Sequence, residues 1–350
     1  MGTSIMPLEL KPPLEPMEAE LVDEVPRGSQ WQYEPKWDGF RALIFKDGKQ
    51  VQIQSKSGQP LGRYFPEMVE QFARLRAARC VLDGEIVIPV GNRLSFDDLL
   101  QRIHPAASRV KKLAQEHPAL VIAFDLLADT RGKSLIKLPL EQRRERLAAF
   151  AEKYFAPTGR IRLSPATTDY RTARRWYQSA GGTTDGVVAK RLDLPYQAGL
   201  RTGMQKIKPL RTADCVVGGF RYASGEPIVG SLLLGLYDDD GLLNHVGFLS
   251  GMSHQQRKEL TPKLRQLISP PGFTGKKPGG PSRWSTKRSS QWEPLEPSLV
   301  IEVGYDQVTS GRFRHGTRLV RWRPDKAPRQ CTFDQLRRTG SSLRLLKAAT

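Results

Sequence analysis

The 350-residue chain contains no apolar run near the roughly 20 residues that a bilayer-spanning helix requires. Its start, MGTSIMPLELKPPLEP, is broken by proline and carries no apolar stretch of the kind that begins a secretory signal. Cysteine is scarce. Cys80, Cys215 and Cys331 lie far apart with no CxxC pair, which excludes a disulfide framework and a cysteine zinc site and fits a reducing compartment. His104, His117, His245, His254 and His315 fall in no metal-ligand spacing. There is no G-x-x-x-x-G-K-[ST] loop and no G-x-G-x-x-G after a strand, so a nucleotide must be held another way. Negative charge is also short: 36 Asp and Glu stand against 55 Lys and Arg, a formal net charge of +19. Such an excess calls for a polyanionic partner, nucleic acid first. The basic residues form no amphipathic or lipid-anchor pattern, so no membrane partner is expected.

What is present suffices for real cores. Apolar residues make up 39% of the chain, and at roughly 100–200 residues per domain two domains are expected. The charge divides unevenly: +10 over residues 1–211, zero over 212–308 and +9 over 309–350. The first thirty residues, with Pro7, Pro12, Pro13, Pro16 and Pro26, read as an arm without regular structure. From Trp31, two short strands flank a turn at Asp47-Gly48, and a helix covers 64–78. RCVLDGEIVIPV is a strand bent near Gly84. Helices are expected over 95–116 and 139–153, on either side of the strand ALVIAFDLLA, and another near 169–180 precedes the strand TTDGVVAKRL.

The α+β texture ends near Arg211. Beyond it, VVGGFRY, GSLLLGLYD, LLNHVGFLS, SLVIEVGYD and RLVRWRP read as five short strands, with one helix in SHQQRKELTPKLRQLI. Asp238, Asp239, Asp240 and Gly241 read as a turn between two of them. Five strands and a helix suit a small Greek-key barrel of the OB type. The expected division is an arm at 1–30, an α+β domain at 31–211 and a barrel at 212–350.

The candidate nucleophile is Lys36 in KWDGFR, directly after a strand. An attacking amine must be unprotonated, and free lysine titrates near ~10.4. Nearby cations and partial burial lower that value. Arg41, Lys206 and Lys208 are the expected cations, the last two sharing one strand face while Ile207 turns to the core. Glu85 in LDGEIVI and Asp185 in TDGVVAK are carboxylates set among apolar residues, able to hold Mg²⁺ or sugar hydroxyls. Phe124 is either core packing or one face of a base-stacking slot.

KWDGFR, SKSG, LDGEIVI, AFDLL, DGVVAK and KIKP follow one another over residues 36–209, and GRFRHGTRLVRWRPDK closes the series at 311–326. Each is weak alone. Together they resemble the covalent nucleotidyltransferases, and among them the ATP-dependent DNA ligases of the compact stand-alone bacterial repair type, which are similar to the ligase module of end-joining ligases. The resemblance implies an α+β chain: an ATP-grasp-like adenylation (nucleotidyltransferase) domain followed by a C-terminal OB-fold barrel. It implies that Lys36 takes AMP from ATP to form lysyl-AMP, with Asp38 in the same motif. Glu34 would contact the adenine amino group, Arg41 the sugar, and Phe124 would stack on adenine. Glu85 would bind the ribose and support metal, Asp185 would assist metal binding, and Lys206 and Lys208 would hold the α-phosphate. Arg321, Asp325 and Lys326 would orient the pyrophosphate.

Two positions depart from the family's usual pattern. Lys56 stands where arginine is commoner, a point charge without the planar fork, so nick-phosphate or ribose contact would be weaker or shared with Arg63. Asp185 stands where glutamate is commoner, one methylene shorter.

The implied reaction seals a 3′-OH/5′-phosphate nick in duplex DNA through lysyl-AMP and a DNA-adenylate, with ATP and Mg²⁺ or Mn²⁺. The barrel is expected to swing between steps about the boundary near Arg211. A DNA-repair role follows, as a cytoplasmic, nucleoid-associated bacterial monomer working with a repair polymerase or end-binding factor. An RNA ligase and a GTP-using capping-type nucleotidyltransferase use the same lysine chemistry and are the alternatives.

Overall fold

The computed structural model describes residues 7–180, 184–279, 291–336 and 345–346. The chain forms two compact units, one of residues 1–209 with 338–350 and one of residues 210–337.

Among the described residues nine strands build the first unit's two larger sheets: β1 (Glu20–Val22), β2 (Trp31–Pro35), β3 (Phe40–Asp47), β4 (Gln50–Ser55), β5 (Arg79–Val87), β6 (Leu120–Ala128), β7 (Ile161–Leu163), β8 (Val187–Arg191) and β9 (Met204–Ile207). They make a four-stranded sheet in the order β1-β9-β8-β2 and a five-stranded sheet in the order β4-β3-β5-β6-β7. Helices α1 (Pro66–Arg74), α2 (Phe96–Gln101), α3 (Ala107–Glu116), α4 (Leu140–Tyr154) and α5 (Tyr170–Gln178) accompany them.

Strand alternation divides β5 between two environments. Cys80, Leu82 and Ile86 enter a core that also holds Met68 and Phe72 of α1 and Leu147 and Phe150 of α4. Val81 joins a second core with Leu43, Phe45 and Met204, so the two sheets pack on each other. Asp83 and Glu85 share that second face. β6 carries a bulge at the level of the site. Gly84 pairs with Ala123 and Asp83 with Asp125, which leaves Phe124 as the extra residue.

Three sequence expectations change here. Residues 20–22 are not irregular: β1 pairs in parallel with β9, Leu21 opposite Lys206, and Leu8 and Met17 are core residues. The helix expected over 95–116 is two helices, because Pro105 lies between α2 and α3 and cannot continue a helical hydrogen-bond ladder. Leu346, expected in the barrel domain, is buried in the first unit with Trp37, Val87, Leu120 and Ile122.

The second unit contains β10 (Arg211–Tyr222), β11 (Val229–Tyr237), β12 (Leu243–Leu249), α6 (His254–Gln266), β13 (Val300–Tyr305) and β14 (Arg318–Trp322). The sheet order is β12-β11-β10-β13-β14, and a parallel bridge between Leu249 and Thr317 joins the two ends. This closure gives the OB barrel. Ser253 caps α6 with a reciprocal Gln256 contact. Asp238 accepts hydrogen bonds from the Leu242 amide and Asn244, the turn expected of that acidic run.

Candidate active site

The chain leaves β2 at Pro35, so Lys36 is the first residue beyond a strand whose five residues are all buried. A reciprocal backbone clamp fixes it: the Lys36 amide donates to the Gly186 carbonyl at 2.9 Å and the Asp185 amide donates to the Lys36 carbonyl at 2.8 Å. Gly186 is required for this approach. Its φ is +137°, and a Cβ there would overlap the Ile207 carbonyl oxygen.

Lys36 Nζ donates to Asp185 Oδ2 at 2.6 Å, and Lys208 Nζ reaches the same oxygen at 3.0 Å. Burial disfavours the Lys36 ammonium, but the charge and hydrogen bond of Asp185, with Glu85 and Asp38 nearby, outweigh it and raise its pKa. This reverses the lowering expected from the sequence, because Asp185 bears directly on the amine. Burial likewise opposes Asp185 ionisation, yet the two lysines hold its pKa below the ordinary value. Burial, then Lys208 and Lys36, lower the pKa of Lys206.

A cavity of about 160 Å³ opens beside Lys36. Glu34, Lys206, Val188 and Lys190 line it from one sheet, Arg41, Lys56, Glu85 and Phe124 from the other, and Met17, Glu18 and Ala19 from the segment before β1. Glu85 accepts from the Gly39 amide at 3.1 Å. Burial, only partly offset by Lys36 and Arg41, pushes its carboxyl up to about 7. Arg41 is bound through two nitrogens to buried Asp83, at 2.6 and 2.7 Å. The Tyr196 hydroxyl donates to the same carboxylate at 2.7 Å. Phe124 carries the Arg41 guanidinium 4.7 Å from its ring centroid and Lys190 Nζ 4.4 Å from it. Buried Glu34 accepts from Lys190 and from Gln32, both at 2.9 Å on one oxygen.

The structure thus gathers Glu34, Lys36, Arg41, Lys56, Glu85, Phe124 and Lys206 around one cavity, with Asp185 joined to both Lys36 and Lys208. Lys190, Asp83, Tyr196 and the Met17–Ala19 wall were missed in the sequence. For Asp83 and Lys190 the signal existed: each lies two residues along a strand from a neighbour that faces the cavity, Glu85 and Val188. Arg63, the proposed helper of Lys56, instead donates to the Pro105 carbonyl at 3.1 Å.

Arg321, Asp325 and Lys326 belong to the second unit. Arg321 pairs with Glu302 at 2.7 Å. Asp325 receives Arg323 at 2.9 Å. Lys326 and Arg323 both reach Asp214, at 3.1 and 2.7 Å. Arg323 and Asp214 were not singled out from sequence.

Among the described residues no group of three or more His, Cys, Asp or Glu is placed to hold a metal. Glu85 on the cavity wall and Asp185, which holds Lys36 and Lys208, are the carboxylates that would serve Mg²⁺, an ion that binds through one or two carboxylates while keeping waters and substrate phosphates. Among the described residues no helix is long and apolar enough to cross a membrane.

Residues 16–208 match the family model described as ATP dependent DNA ligase domain, and residues 225–326 the model described as ATP dependent DNA ligase C terminal region. The chain is 44% identical to DNA ligase C2 of Mycolicibacterium smegmatis, covering 95% of this chain and 96% of that protein. It is 42% identical to DNA ligase C of Mycobacterium tuberculosis over the same shares. A solved structure titled as a minimal scaffold among Lig E DNA ligases covers 88% of this chain and 99% of its own, with a TM-score of 0.54 and 14% identity, a likeness of fold alone. Two matched models spanning most of the chain, and relatives of this identity along its length, place the protein in the ATP-dependent DNA ligase family.

Proposed function

We propose that this chain seals 3′-OH/5′-phosphate nicks in duplex DNA by three successive nucleotidyl transfers, with Lys36 as the nucleophile. The observation that carries this reading is the convergence of Lys36 and Lys208 on Asp185 beside a cavity walled by Glu34, Glu85 and Phe124. In the first transfer the neutral Lys36 amine attacks the α-phosphorus of ATP, the Nζ–P bond forms and pyrophosphate leaves. The ammonium must first pass its proton to a phosphate oxygen of ATP or to water and leave Asp185, and a second amine proton is released as the Nζ–P bond forms. Lys208 stays on the carboxylate, so no bare buried charge results. AMP then passes to the 5′-phosphate of the nick, and the 3′-hydroxyl displaces it. Each displacement is in line at phosphorus, so positioning and charge neutralisation by Lys206, Lys208 and Arg41 carry the catalysis.

Phe124 offers its ring to adenine, with Lys190 and Arg41 withdrawing from it as the base enters. Glu34 is the acceptor available to the adenine amino group. Glu85 and Asp185 would hold Mg²⁺ or Mn²⁺, which neutralises phosphate charge when bound. The exposed Arg321 is assigned to the pyrophosphate, with Asp325 and Lys326 beside it in the second unit. We further propose a role in DNA repair, with action as a monomer.

Incubation with α-labelled ATP and Mg²⁺ tests the reading. A labelled protein band is expected, lost in Lys36→Ala, and the labelled protein should seal nicked DNA. A band that survives the substitution removes the nucleophile. GTP outcompeting ATP would point to capping-type chemistry, and RNA nicks sealed faster than DNA nicks to an RNA ligase.

A further inference from the structure

The segment before β1 is a wall of the site. The Met17 amide donates to the Tyr196 hydroxyl at 3.0 Å, and Arg41 donates to the Met17 carbonyl at 3.2 Å. The Glu18 amide donates to the Leu200 carbonyl at 2.8 Å. These bonds fix the backbone on both sides of Glu18 and leave its side chain at the cavity rim, 26% exposed. Glu18 Oε1 lies 2.9 Å from Lys56 Nζ and Oε2 lies 3.1 Å from Arg201 Nε. The two oxygens thus each hold one cation, the geometry in which a phosphate bridges two basic side chains. The Lys56 hydrogen bond, against slight burial, lowers the Glu18 pKa, so the group is an anion at neutral pH.

We propose that Glu18 is an internal anion that occupies Lys56 and Arg201 until a phosphate group of the substrate displaces it, so that Glu18 competes with phosphate for these two cations and sets the affinity for phosphorylated ligands. The inference rests on the nucleotidyl-transfer reading of this cavity. The incoming group is the polyphosphate of ATP or the 5′-phosphate of the nick. The two cations are largely exposed, Lys56 at 59% and Arg201 at 71%. Such pairs are weak, so exchange is cheap for a ligand of higher negative charge. A ligand without phosphate gains nothing from Lys56, because Glu18 keeps it. The position of Lys56 next to a carboxylate also accounts for a lysine there, since a single-point cation changes partner more readily than a forked guanidinium.

The test is binding. ATP is titrated against Lys36→Ala protein with and without Glu18→Gln, and nicked duplexes ending in 5′-phosphate or 5′-hydroxyl are titrated against the full-length chain with and without the same change. Glu18→Gln is expected to tighten ATP or the 5′-phosphate nick by about two- to tenfold at low salt, with the gain fading at high salt. Adenosine and the 5′-hydroxyl nick should bind as before. The ligand that responds identifies the phosphate source. Adding Lys56→Gln should abolish the gain, and Glu18→Asp, which keeps the charge, should return affinity toward the parent. Unchanged or weaker binding of both phosphate ligands in Glu18→Gln overturns the proposal. Failure of the unsubstituted chain to form lysyl-AMP would instead sink the nucleotidyl-transfer reading, while the binding comparison still decides the exchange.

Discussion

Lys36 and Lys208 share a single oxygen of Asp185, at 2.6 and 3.0 Å. One carboxylate therefore stores the nucleophile as an ammonium and holds a second cation ready to keep that carboxylate neutralised. The shorter aspartate draws both amines to one point.

Asp185→Asn should separate these effects. Removing the carboxylate takes away the main contribution that raises the Lys36 pKa and leaves burial opposed only by the smaller effects of Glu85 and Asp38, so the amine should deprotonate at lower pH. The ascending limb of lysyl-AMP formation against pH should move to the acid side. The plateau rate should fall, by about a hundredfold if the amine is misplaced by an ångström. Asp185→Glu should retain more of the plateau than Asp185→Asn. Single-turnover labelling across pH measures both, and an unmoved pH limb would show that Asp185 does not hold the ammonium.

Glu85 gives a stability prediction. Its folded pKa of about 7 lies above the ordinary value of 4.5, so the folded protein binds a proton that the unfolded chain has released. Stability then falls as pH rises from about 4.5 to about 7, and the loss is complete above that. Glu85→Gln should leave the melting temperature near that of the parent at pH 4 and raise it at pH 8, where the gap between 4.5 and about 7 corresponds to about 3 kcal/mol of stability. It should also lose nick sealing. Melting curves at the two pH values check it, and a gain largest at pH 4 would contradict it.

Much of this arrangement is legible in the sequence. Period two in LDGEIVI sends Glu85 away from the Leu82–Ile86 face, and the same rule buries Ile207 between Lys206 and Lys208. The strands beyond Arg211 are visible because turn residues separate them, although β10 runs for 12 residues. Long-range partners are not visible. No local pattern says that Asp185, 149 positions away, will lie on Lys36 and reverse the expected direction of its pKa. Phe124 faces the cavity because of a bulge, and bulges follow from pairing register rather than composition. The Pro-rich start reads as irregular because β1 is three residues long and needs β9 to exist at all.

The buried pair of Arg143 and Asp125 predicts a large loss of stability. Two guanidinium nitrogens meet the two carboxylate oxygens at 2.9 and 3.0 Å. Arg143 is 2% exposed and Asp125 4%. Arg143→Ala leaves a carboxylate buried without its partner, which costs about 3–5 kcal/mol. Denaturant unfolding should show it as a lower midpoint. A change below about 1 kcal/mol would mean that water reaches Asp125 in the variant.

Arg321 and Arg323 are two residues apart on or beside one strand and should behave in opposite ways. Arg323 reaches Asp214, Asp325 and, at 3.9 Å, Glu302, and its side chain is 15% exposed. Arg321 has Glu302 at 2.7 Å and is 61% exposed. The first ties the end of β14 to the start of β10. The second can leave Glu302, because Arg323 remains beside that carboxylate. Arg323→Ala should lower the melting temperature of the second unit and slow every step of ligation together. Arg321→Ala should melt like the parent and slow lysyl-AMP formation, while sealing of a pre-adenylated nick proceeds at close to the parent rate. Single-turnover assays of the two steps distinguish them. Equal slowing of both steps by Arg321→Ala would show that this side chain is not committed to the pyrophosphate-releasing step.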